Sequence, residues 1–357
     1  MGIRRIENTD PAFEQFLKLP QFIYRDDPYH RARPIEETRV LLDKAENPCW
    51  KSARRALFIL EREGQVSGRI AAIQDPGIKR QHANNEGFFG FFECIDDQDA
   101  ALELFEAASR WLVEQGGCTT VRGPCSPLPD FFNFGILVEG FDQPQVTGEA
   151  YNPAYYPALI EGCGFEKDSD YLSFRNHFPE NQVFEKMMDR LERILGKHER
   201  TSVRSYDVKN FDRDAAIVND VINRSFESGL FYSITDLETQ KFMLKRTAPI
   251  KDMEWFMIQE ERGEPVGVNL EAPNYDALLW GDTIRGVRSE NFAVLPEYHG
   301  TFAASSLFYH GWEKARRLGF EDLYISYVSE KHTAMHGIVR SFGCRVTKRH
   351  RVYCKQL

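Results

Sequence analysis

The sequence lacks the features that would place the chain in a membrane, outside the cell or on nucleic acid. No apolar run approaches the roughly 18–20 residues that a membrane-spanning helix needs. The opening residues, Met-Gly-Ile-Arg-Arg, carry no apolar segment of the kind found in signal peptides. Basic clusters are short and the formal net charge is −9, whereas nucleic-acid binding depends on clustered Lys and Arg. We therefore expect a cytoplasmic protein with neither a membrane nor a nucleic-acid partner.

The spacing of cysteine and histidine argues against two further classes, disulfide-stabilised proteins and zinc proteins. The chain has 7 cysteines, an odd number, and no two of them show the C-x-x-C spacing of a zinc or redox site. This usage favours reduced thiols over a disulfide framework. His332 and His336 have the i, i+4 spacing of a zinc pair, but the glutamate of H-E-x-x-H is missing and no third ligand is evident. We expect no metal.

Common catalytic and nucleotide-binding signatures are also missing. The sequence contains no G-x-S-x-G, no P-loop and no G-x-G-x-x-G. Without that last motif, and with hairpins in place of regular βαβ repeats, a Rossmann fold is disfavoured.

What is present is one pattern that occurs twice. Residues 56–73 and 255–270 each read as an apolar run, a charged turn with glycine and a second run, which predicts a β-hairpin. A third strand-like run follows at 87–95 and at 286–295. At 357 residues, two domains are the default.

An amphipathic helix follows the third run in both halves, and each helix ends at a glycine, Gly116 or Gly319. Helical spacing is kept by Ala101, Leu104, Phe105, Ala108, Trp111 and Leu112, and by Ala304, Leu307, Phe308, Gly311, Trp312, Ala315 and Leu318. Each half then has a strand, a short helix and a closing strand. We predict a first domain over 1–180, a connecting helix in 181–202 and a second domain over 203–357.

The halves differ just before this helix. The second half has about one helical turn of extra chain there, around 295–301, whereas the first half has the acidic 96–99, which predicts a helix N-cap. The two hairpins, the strand 292–296, the loop 297–304 and the helix end at Gly319 together resemble the GNAT acetyltransferase superfamily. Two linked copies resemble its YghO-like tandem group. The resemblance implies a mixed α/β sheet in two tandem GNAT-like domains and acetyl-CoA or another acyl-CoA as co-substrate.

In this family a Gln/Arg-x-x-Gly-x-Gly/Ala loop wraps the pyrophosphate of CoA, because glycines let successive N–H groups point at the phosphates. Here Glu297 replaces the Gln or Arg, Gly300 matches the first glycine and Phe302 replaces the second. The preceding strand would pair with the pantetheine arm, and His332 stands where the family often has an Asn. The resemblance thus implies a cofactor site built from Phe292, Ala293, Val294, Tyr298, His299, Gly300, Thr301, Phe302, Ala303 and His332. An ordinary capped helix start is the alternative.

Catalysis in the family usually needs a base for the attacking amine and often a Tyr that protonates the leaving thiolate. Glu290, on the strand that leads into the loop, is the candidate base, and an exposed strand carboxylate is the alternative. Val339 occupies the usual Tyr position, so Tyr327, on the strand across the expected cleft, is the substitute acid.

The first half lacks the loop, so its cofactor site is expected to be degenerate. Its aromatic residues could wall a substrate pocket formed by Phe131, Phe132, Phe134, Tyr155 and Tyr156, with a packed aromatic core as the alternative.

The leading expectation is an N-acetyltransferase that moves an acetyl group to a small-molecule amine. One alternative is a binding protein that kept the fold and lost the chemistry, supported by Glu297, Phe302 and Val339. Another is a transferase that uses long acyl groups or aminoacyl-tRNA, although the acidic charge argues against tRNA. The acceptor, the acyl chain length and the oligomeric state, a homodimer included, remain open at this point.

Overall fold

The computed structural model describes residues 2–75, 85–125, 134–197, 201–227, 234–247 and 250–357. The described chain forms two compact units. Unit 1 runs to Tyr171 and also contains Lys348–Leu357, while the described residues from Leu172 to Thr347 form unit 2. Most of the last strand of the chain therefore lies in unit 1, and the domain boundaries predicted from sequence stay a prediction.

Unit 1 is a sheet with helices on both faces. Its strands are β1 (Gly2–Ile6), β2 (Arg54–Arg62), β3 (Gln65–Gln74), β4 (Glu86–Cys94), β5 (Thr120–Gly123) and β6 (Ile136–Glu139), and its helices are α1 (Phe13–Ile23), α2 (Ile35–Leu42), α3 (Gln98–Gly116) and α4 (Tyr156–Gly162). Strand β7 (Glu166–His177) passes from unit 1 into unit 2, and strand β13 (Arg345–Gln356) passes back. The strand order is β1-β2-β3-β4-β5-β13, with β6 also on β13.

Unit 2 repeats this plan. It contains helices α5 (Gln182–Leu195), α6 (Phe211–Phe226), α7 (Leu237–Thr247), α8 (Ala303–Arg317) and α9 (Thr333–Ser341), and strands β8 (Thr201–Ser205), β9 (Phe256–Glu261), β10 (Glu264–Pro273), β11 (Gly286–Val294) and β12 (Asp322–Ser329). The order is β8-β9-β10-β11-β12, followed by the end of β7. The predicted mixed α/β fold is confirmed. None of the helices in the described ranges is long and apolar enough to cross a membrane.

Both predicted hairpins are present. The turns between β2 and β3 and between β9 and β10 place Glu63 with Gly64, and Arg262 with Gly263, at positive φ. Positive φ at both central residues is the geometry of a type I′ turn, which matches the natural twist of paired strands.

Each unit has apolar layers on its sheet. In unit 1, the α3 and α4 face buries Phe89, Phe105 and Tyr156, while the α1 face buries Phe16 and Phe88. In unit 2, α8 contributes Phe308 and Trp312 to a layer that also contains Phe184, Phe342 and Leu323. The amphipathic stripes predicted for α3 and α8 are therefore the core faces of those helices, except for Leu318, which follows the end of α8 and is exposed.

Strand β13 is held in unit 1 by buried charge. Lys348 Nζ donates to Glu149 Oε2 at 2.8 Å and to the Pro144 carbonyl at 2.7 Å, and the Lys348 and Glu149 side chains are both 3% exposed. Arg351 and Arg349 both pair with the buried Asp170 carboxylate. Burial raises the pKa of Asp170, but Arg351 and Lys167 outweigh it and hold that pKa below its ordinary value. Local sequence patterns do not reveal such long-range partners.

Replacing Lys348 by Met should lower the free energy of unfolding by about 3–5 kcal/mol, since it breaks the buried ion pair with Glu149 by removing one partner. Urea unfolding measures the loss. The matched control is Lys44→Met, which removes an exposed pair with Glu7 and should cost less than about 1 kcal/mol.

The double variant Lys348→Met/Glu149→Leu should recover much of the stability, because it removes both charges together. A loss as small for Lys348→Met as for Lys44→Met would contradict this account of how β13 is held.

Candidate active site

The candidate site of unit 2 lies where two parallel strands separate. Strands β11 and β12 pair from Gly286 opposite Asp322 to Ser289 opposite Ile325. Beyond this ladder β11 continues to Val294 and β12 to Ser329. At the far ends of the two strands, the Val294 and Ser329 carbonyls accept hydrogen bonds from histidine side chains.

Glu290 is the first residue beyond the ladder and forms a β-bulge. In the pairing of β10 with β11, Leu270 faces Asn291 while the next residue, Glu271, faces Ser289, so Glu290 is the extra residue. Bulges re-aim side chains and occur often beside active sites. The predicted base therefore occupies a special backbone position, which its sequence context did not reveal.

Arg288 brings Glu290 and Tyr327 together. Its Nη1 donates to Glu290 Oε1 at 3.3 Å, and its guanidinium lies 5.8 Å from the centre of the Tyr327 ring. The Arg288 and Glu290 side chains are 1% and 7% exposed. A guanidinium at this distance favours the charged carboxylate, which is the form that accepts a proton.

The loop that follows β11 leads directly into helix α8. It contains a 3₁₀ turn, Pro296–Tyr298, and Gly300 at φ +79°, a conformation that favours glycine. The Thr301 hydroxyl donates to the Tyr298 carbonyl at 2.7 Å and accepts from the Ala303 amide at 3.2 Å. The first-turn N–H groups of a helix form a ready anion site.

Glu297 and Phe302 are the two residues that depart from the loop pattern of the GNAT superfamily. Glu297 pairs with Arg224 of α6, Oε1 to Nη2 at 2.5 Å, so a cation offsets its charge. Phe302 is the residue before α8 and is 47% exposed. Val339, in place of the family Tyr, is fully buried on α9.

Three histidines lie around the ends of the separated strands. His299 Nε2 donates to the Val294 carbonyl and His336 Nε2 donates to the Ser329 carbonyl, both at 2.9 Å. His332 caps α9, with Nδ1 accepting from a backbone amide at 3.3 Å. Burial lowers the pKa of His332, and the charges of His336 and His299 lower it further. The three side chains are therefore neighbours, although His299 comes from the loop before α8 and His332 and His336 come from the start of α9.

The remaining predicted cofactor residues lie on β11 and at the start of α8. Phe292 stacks on Phe308 with ring centres 4.1 Å apart, and Ala293, Val294 and Ala303 are buried. Tyr298 packs against the small cluster around Val294 and Ala303. Their role in binding a cofactor stays a prediction.

The corresponding strands of unit 1 also separate, but side chains fill the opening. Strand β4 pairs with β5 only from Glu86 to Phe88. At the end of β4, the Cys94 amide donates to the Tyr156 hydroxyl at 2.9 Å, and the Tyr155 hydroxyl donates to the Cys94 carbonyl at 2.8 Å. Two tyrosines of the closing helix region thus take the backbone groups of one residue of β4.

The sequence of unit 2 differs at this place. When Gly164 is aligned with Gly343, at the ends of the two closing helices, Tyr155 and Tyr156 correspond to Ala334 and Met335. Neither replacement has a hydroxyl group, so unit 2 cannot fill its groove in the same way.

A buried polar cluster lies behind these tyrosines in unit 1. Glu93 Oε2 accepts hydrogen bonds from the hydroxyls of Tyr24 at 2.9 Å and Tyr156 at 2.7 Å, and Arg69 lies 3.6 Å from Oε1. Burial raises the pKa of Glu93 against the effect of these partners. At the start of α3, Asp97 caps the Ala100 amide, as the acidic run predicted.

The predicted substrate pocket of unit 1 remains a prediction. Tyr156 is 1% exposed and belongs to the core, and Phe134 contacts Tyr171 edge to face at 4.7 Å. Phe131 and Phe132 lie outside the described residues. Across the described ranges, no group of three His, Cys, Asp or Glu side chains could hold a metal ion.

No family model matches the chain. Protein YghO of Escherichia coli strain K12 is 26% identical over 100% of this chain and 96% of its own length. The bacterial ceramide synthase of Caulobacter vibrioides is 25% identical over 98% of this chain and 96% of its own length.

Among solved structures, a tandem GNAT protein from the clavulanic acid biosynthesis pathway matches 99% of this chain and 98% of its own, with a TM-score of 0.62 and 10% identity. The chain has the tandem GNAT fold. A GCN5-related N-acetyltransferase from Sphaerobacter thermophilus matches 99% of this chain and 95% of its own, with a TM-score of 0.53 and 13% identity. At these identities the likeness concerns the fold, and the resemblance predicted from the repeated pattern is confirmed.

Sequence reasoning missed Arg288 and the polar residues buried behind β11. Arg288 precedes Glu290 by two residues, the spacing that places strand side chains on one face, so the pair was readable in principle. Asn269 and Glu271 interrupt an otherwise apolar strand, and both are completely buried. A buried polar residue in a strand is a signal because it needs a partner.

Glu271 titrates in an unusual range. Burial raises the pKa of Glu271 to about 7, although its hydrogen bond from Asn269 and the charge of Lys314 act in the opposite direction. Between the ordinary value of 4.5 and about 7, the folded chain holds the proton and the unfolded chain releases it. The free energy of unfolding therefore falls as the pH rises through this window.

Glu271→Gln removes this titration. The variant and the wild-type chain should be similarly stable at pH 5, and the variant should be more stable by about 3 kcal/mol at pH 8. Chemical unfolding at the two pH values measures the difference. Glu264→Gln, at the exposed start of the same strand, is the control and should show no such change. Parallel pH profiles for the Glu271 variant and the wild-type chain would contradict the assignment.

Proposed function

We propose that unit 2 is an acyl-CoA-dependent N-acyltransferase that moves an acyl group to the amine of a small molecule. The observation that carries the proposal is the separation of β11 from β12 next to a bulged, buried Glu290, with a glycine-containing loop leading into the start of α8. A thioester cofactor, a base and an anion site can meet in this arrangement. The names of the structural neighbours, N-acetyltransferases among them, agree with this class of reaction.

CoA would bind across the opening. Its pantetheine arm would pair with Phe292, Ala293 and Val294, where β12 has moved away. Its pyrophosphate would meet the Gly300 loop and the first N–H groups of α8. His299 and His332 border this path, and their imidazoles could donate further hydrogen bonds to the cofactor.

The reaction needs two proton transfers. The amine nitrogen attacks the thioester carbon, a C–N bond forms and the C–S bond breaks. Glu290 takes the proton released by nitrogen, and Tyr327 gives its phenolic proton to the departing thiolate. Both groups regain their starting states by exchange with solvent. Arg288 contacts both side chains and would hold them beside the reacting atoms.

In this proposal unit 1 is a degenerate copy. Its groove is occupied by Tyr155 and Tyr156, and its α3 start carries Asp97 in place of an anion loop. We assign it a supporting role. Reduced thiols at all seven cysteines suit a cytoplasmic location, which we retain as part of the proposal.

Acetyl-CoA and a small amine are the leading pair of substrates. A long-chain acyl-CoA and a lipid amine are the second candidate, and one observation favours them. The ceramide synthase relative matches almost the whole chain, and a ceramide is an N-acyl amide. Both candidates use the same bond-forming step and differ in the donor chain length and the acceptor.

Thermal unfolding with acetyl-CoA, free CoA and palmitoyl-CoA tests the cofactor. A ligand present at about 100 times its Kd should stabilise the chain by about 2.7 kcal/mol, which raises Tm by several degrees. The acyl-CoA with the larger shift identifies the donor class. An unchanged Tm with all three ligands would leave a GNAT-shaped binding protein for another ligand.

Glu290→Gln tests the base once a turnover assay is available. It should lower kcat by about 10²–10⁴-fold, because an amide cannot accept the amine proton, while the Kd for acyl-CoA stays close to that of the wild-type chain. Glu264→Gln, at the exposed start of β10, is the matched control and should retain full kcat. Full activity in the Glu290 variant would remove this residue from the mechanism.

A further inference from the structure

Three polar side chains form a buried chain behind the bulge, on the face of the sheet that packs on α8. The Ser289 hydroxyl donates to Asn269 Oδ1 at 2.7 Å, and Asn269 Nδ2 donates to Glu271 Oε1 at 2.8 Å. Ser289 is 2% exposed, and Asn269 and Glu271 are fully buried. Among the described residues, Glu271 Oε2 has no hydrogen-bond partner.

The hydrogen bond from Ser289 to Asn269 spans the bulge. In the strand pairing, Ser289 faces Glu271 on one side of the extra residue, and Asn269 faces Phe292 on the other side. The side-chain bond therefore runs diagonally past Glu290 and ties the two flanks of the bulge together. Movement of Glu290 along the strand would stretch or break it.

Glu271 fixes the orientation of the Asn269 side-chain amide. With Nδ2 turned to the Glu271 oxygen, Oδ1 must face the Ser289 hydroxyl, so all three polar groups are ordered in one direction. Helix α8 makes room for this carboxyl through Gly311, where an added Cβ would lie 2.6 Å from Oε1.

Unit 1 shows that the fold does not require this polar chain. Gly68 of β3 and Gly267 of β10 occupy equivalent places, each against a leucine of the helix below, Leu104 or Leu307. Counting from these residues, the counterparts of Asn269, Glu271 and Gly311 are Ile70, Ala72 and Ala108.

Ser289 has an apolar counterpart too. It faces Glu271, and in unit 1 Phe89 faces Ala72. All four counterparts are buried apolar residues of one core cluster: Ile70, Ala72, Phe89 and Ala108. The same position in the fold is therefore built from hydrocarbon in unit 1 and from hydrogen-bonded polar groups in unit 2.

We infer that Ser289, Asn269 and Glu271 are positioning residues that hold the β11 bulge, and with it the Glu290 carboxylate, in the geometry needed for proton transfer. None of the three touches the substrate in this scheme. They act through the backbone of β11, from the opposite face of the sheet. The inference rests on the proposed function, because it assigns the chain a role in that reaction.

Ser289→Ala and Asn269→Ala test the inference in the full-length chain, with two readouts. The first is hydrogen exchange of residues 286–294, which reports on the bulge whether or not the chain is an enzyme. The loss of one buried hydrogen bond should speed exchange there by about tenfold. Ser173→Ala, which removes a buried serine hydroxyl from β7, is the matched control and should leave exchange in this segment unchanged.

The second readout is the separation of kcat from KM. The two variants should lower kcat by about tenfold or more and change the KM for acyl-CoA little, because only the placement of the base is affected. Glu271→Gln, which keeps an oxygen that can accept from Asn269, should retain most of the wild-type kcat. A merely structural role would lower Tm without this selective loss of kcat.

Unchanged exchange in 286–294 would overturn the inference even in an active enzyme. Faster exchange with an unaltered kcat would also overturn it, since the bulge would then be held for some purpose other than catalysis. A wild-type chain that transfers no acyl group from any donor would overturn the proposed function, and the catalytic role of these residues with it.

Discussion

Two parallel strands that pair over only their first residues leave backbone N–H and C=O groups that need new partners, because buried polar groups are rarely left without hydrogen bonds. Each unit of this chain contains such a pair of strands. In unit 1, Tyr155 and Tyr156 supply partners from within the protein. In unit 2 the corresponding residues, Ala334 and Met335, have no hydroxyl group. There His299 donates to the Val294 carbonyl, and the proposed partner of the remaining backbone groups is the cofactor.

The difference in the groove is accompanied by differences elsewhere in the two units. Unit 2 has a loop with a left-handed Gly300 before α8, where unit 1 starts its helix directly behind the capping Asp97. Unit 2 also has a polar chain behind its bulge, where unit 1 has hydrocarbon. One duplicated fold has therefore been completed in two ways. Both units bury a carboxyl group whose pKa is raised by burial, Glu93 in unit 1 and Glu271 in unit 2.

Much of the fold could be predicted from the sequence because its main signals are local. The hairpins at Gly64 and Gly263 and the stripes of α3 and α8 follow from alternation and helical spacing, and their repetition indicated the family. The position of β13 in unit 1 could not be predicted, since the partners of Lys348 lie about two hundred residues away in the chain. The bulge at Glu290 was also hidden, because it exists only in the register of β11 against β10. Glu290 and Tyr327 could be proposed one by one, whereas the contact of Arg288 with the Tyr327 ring became visible only in three dimensions.

Isothermal titration of the full-length chain with the acyl-CoA that it prefers is the most direct test of this division between the units. The account predicts one binding site per chain, because the hydroxyls of Tyr155 and Tyr156 already occupy the Cys94 backbone in unit 1. It further predicts that this site is lost when the Gly300 loop is disrupted by Gly300→Val, which places a β-branched residue at positive φ. Two equivalent sites per chain, or one site that survives this change, would contradict the central claim.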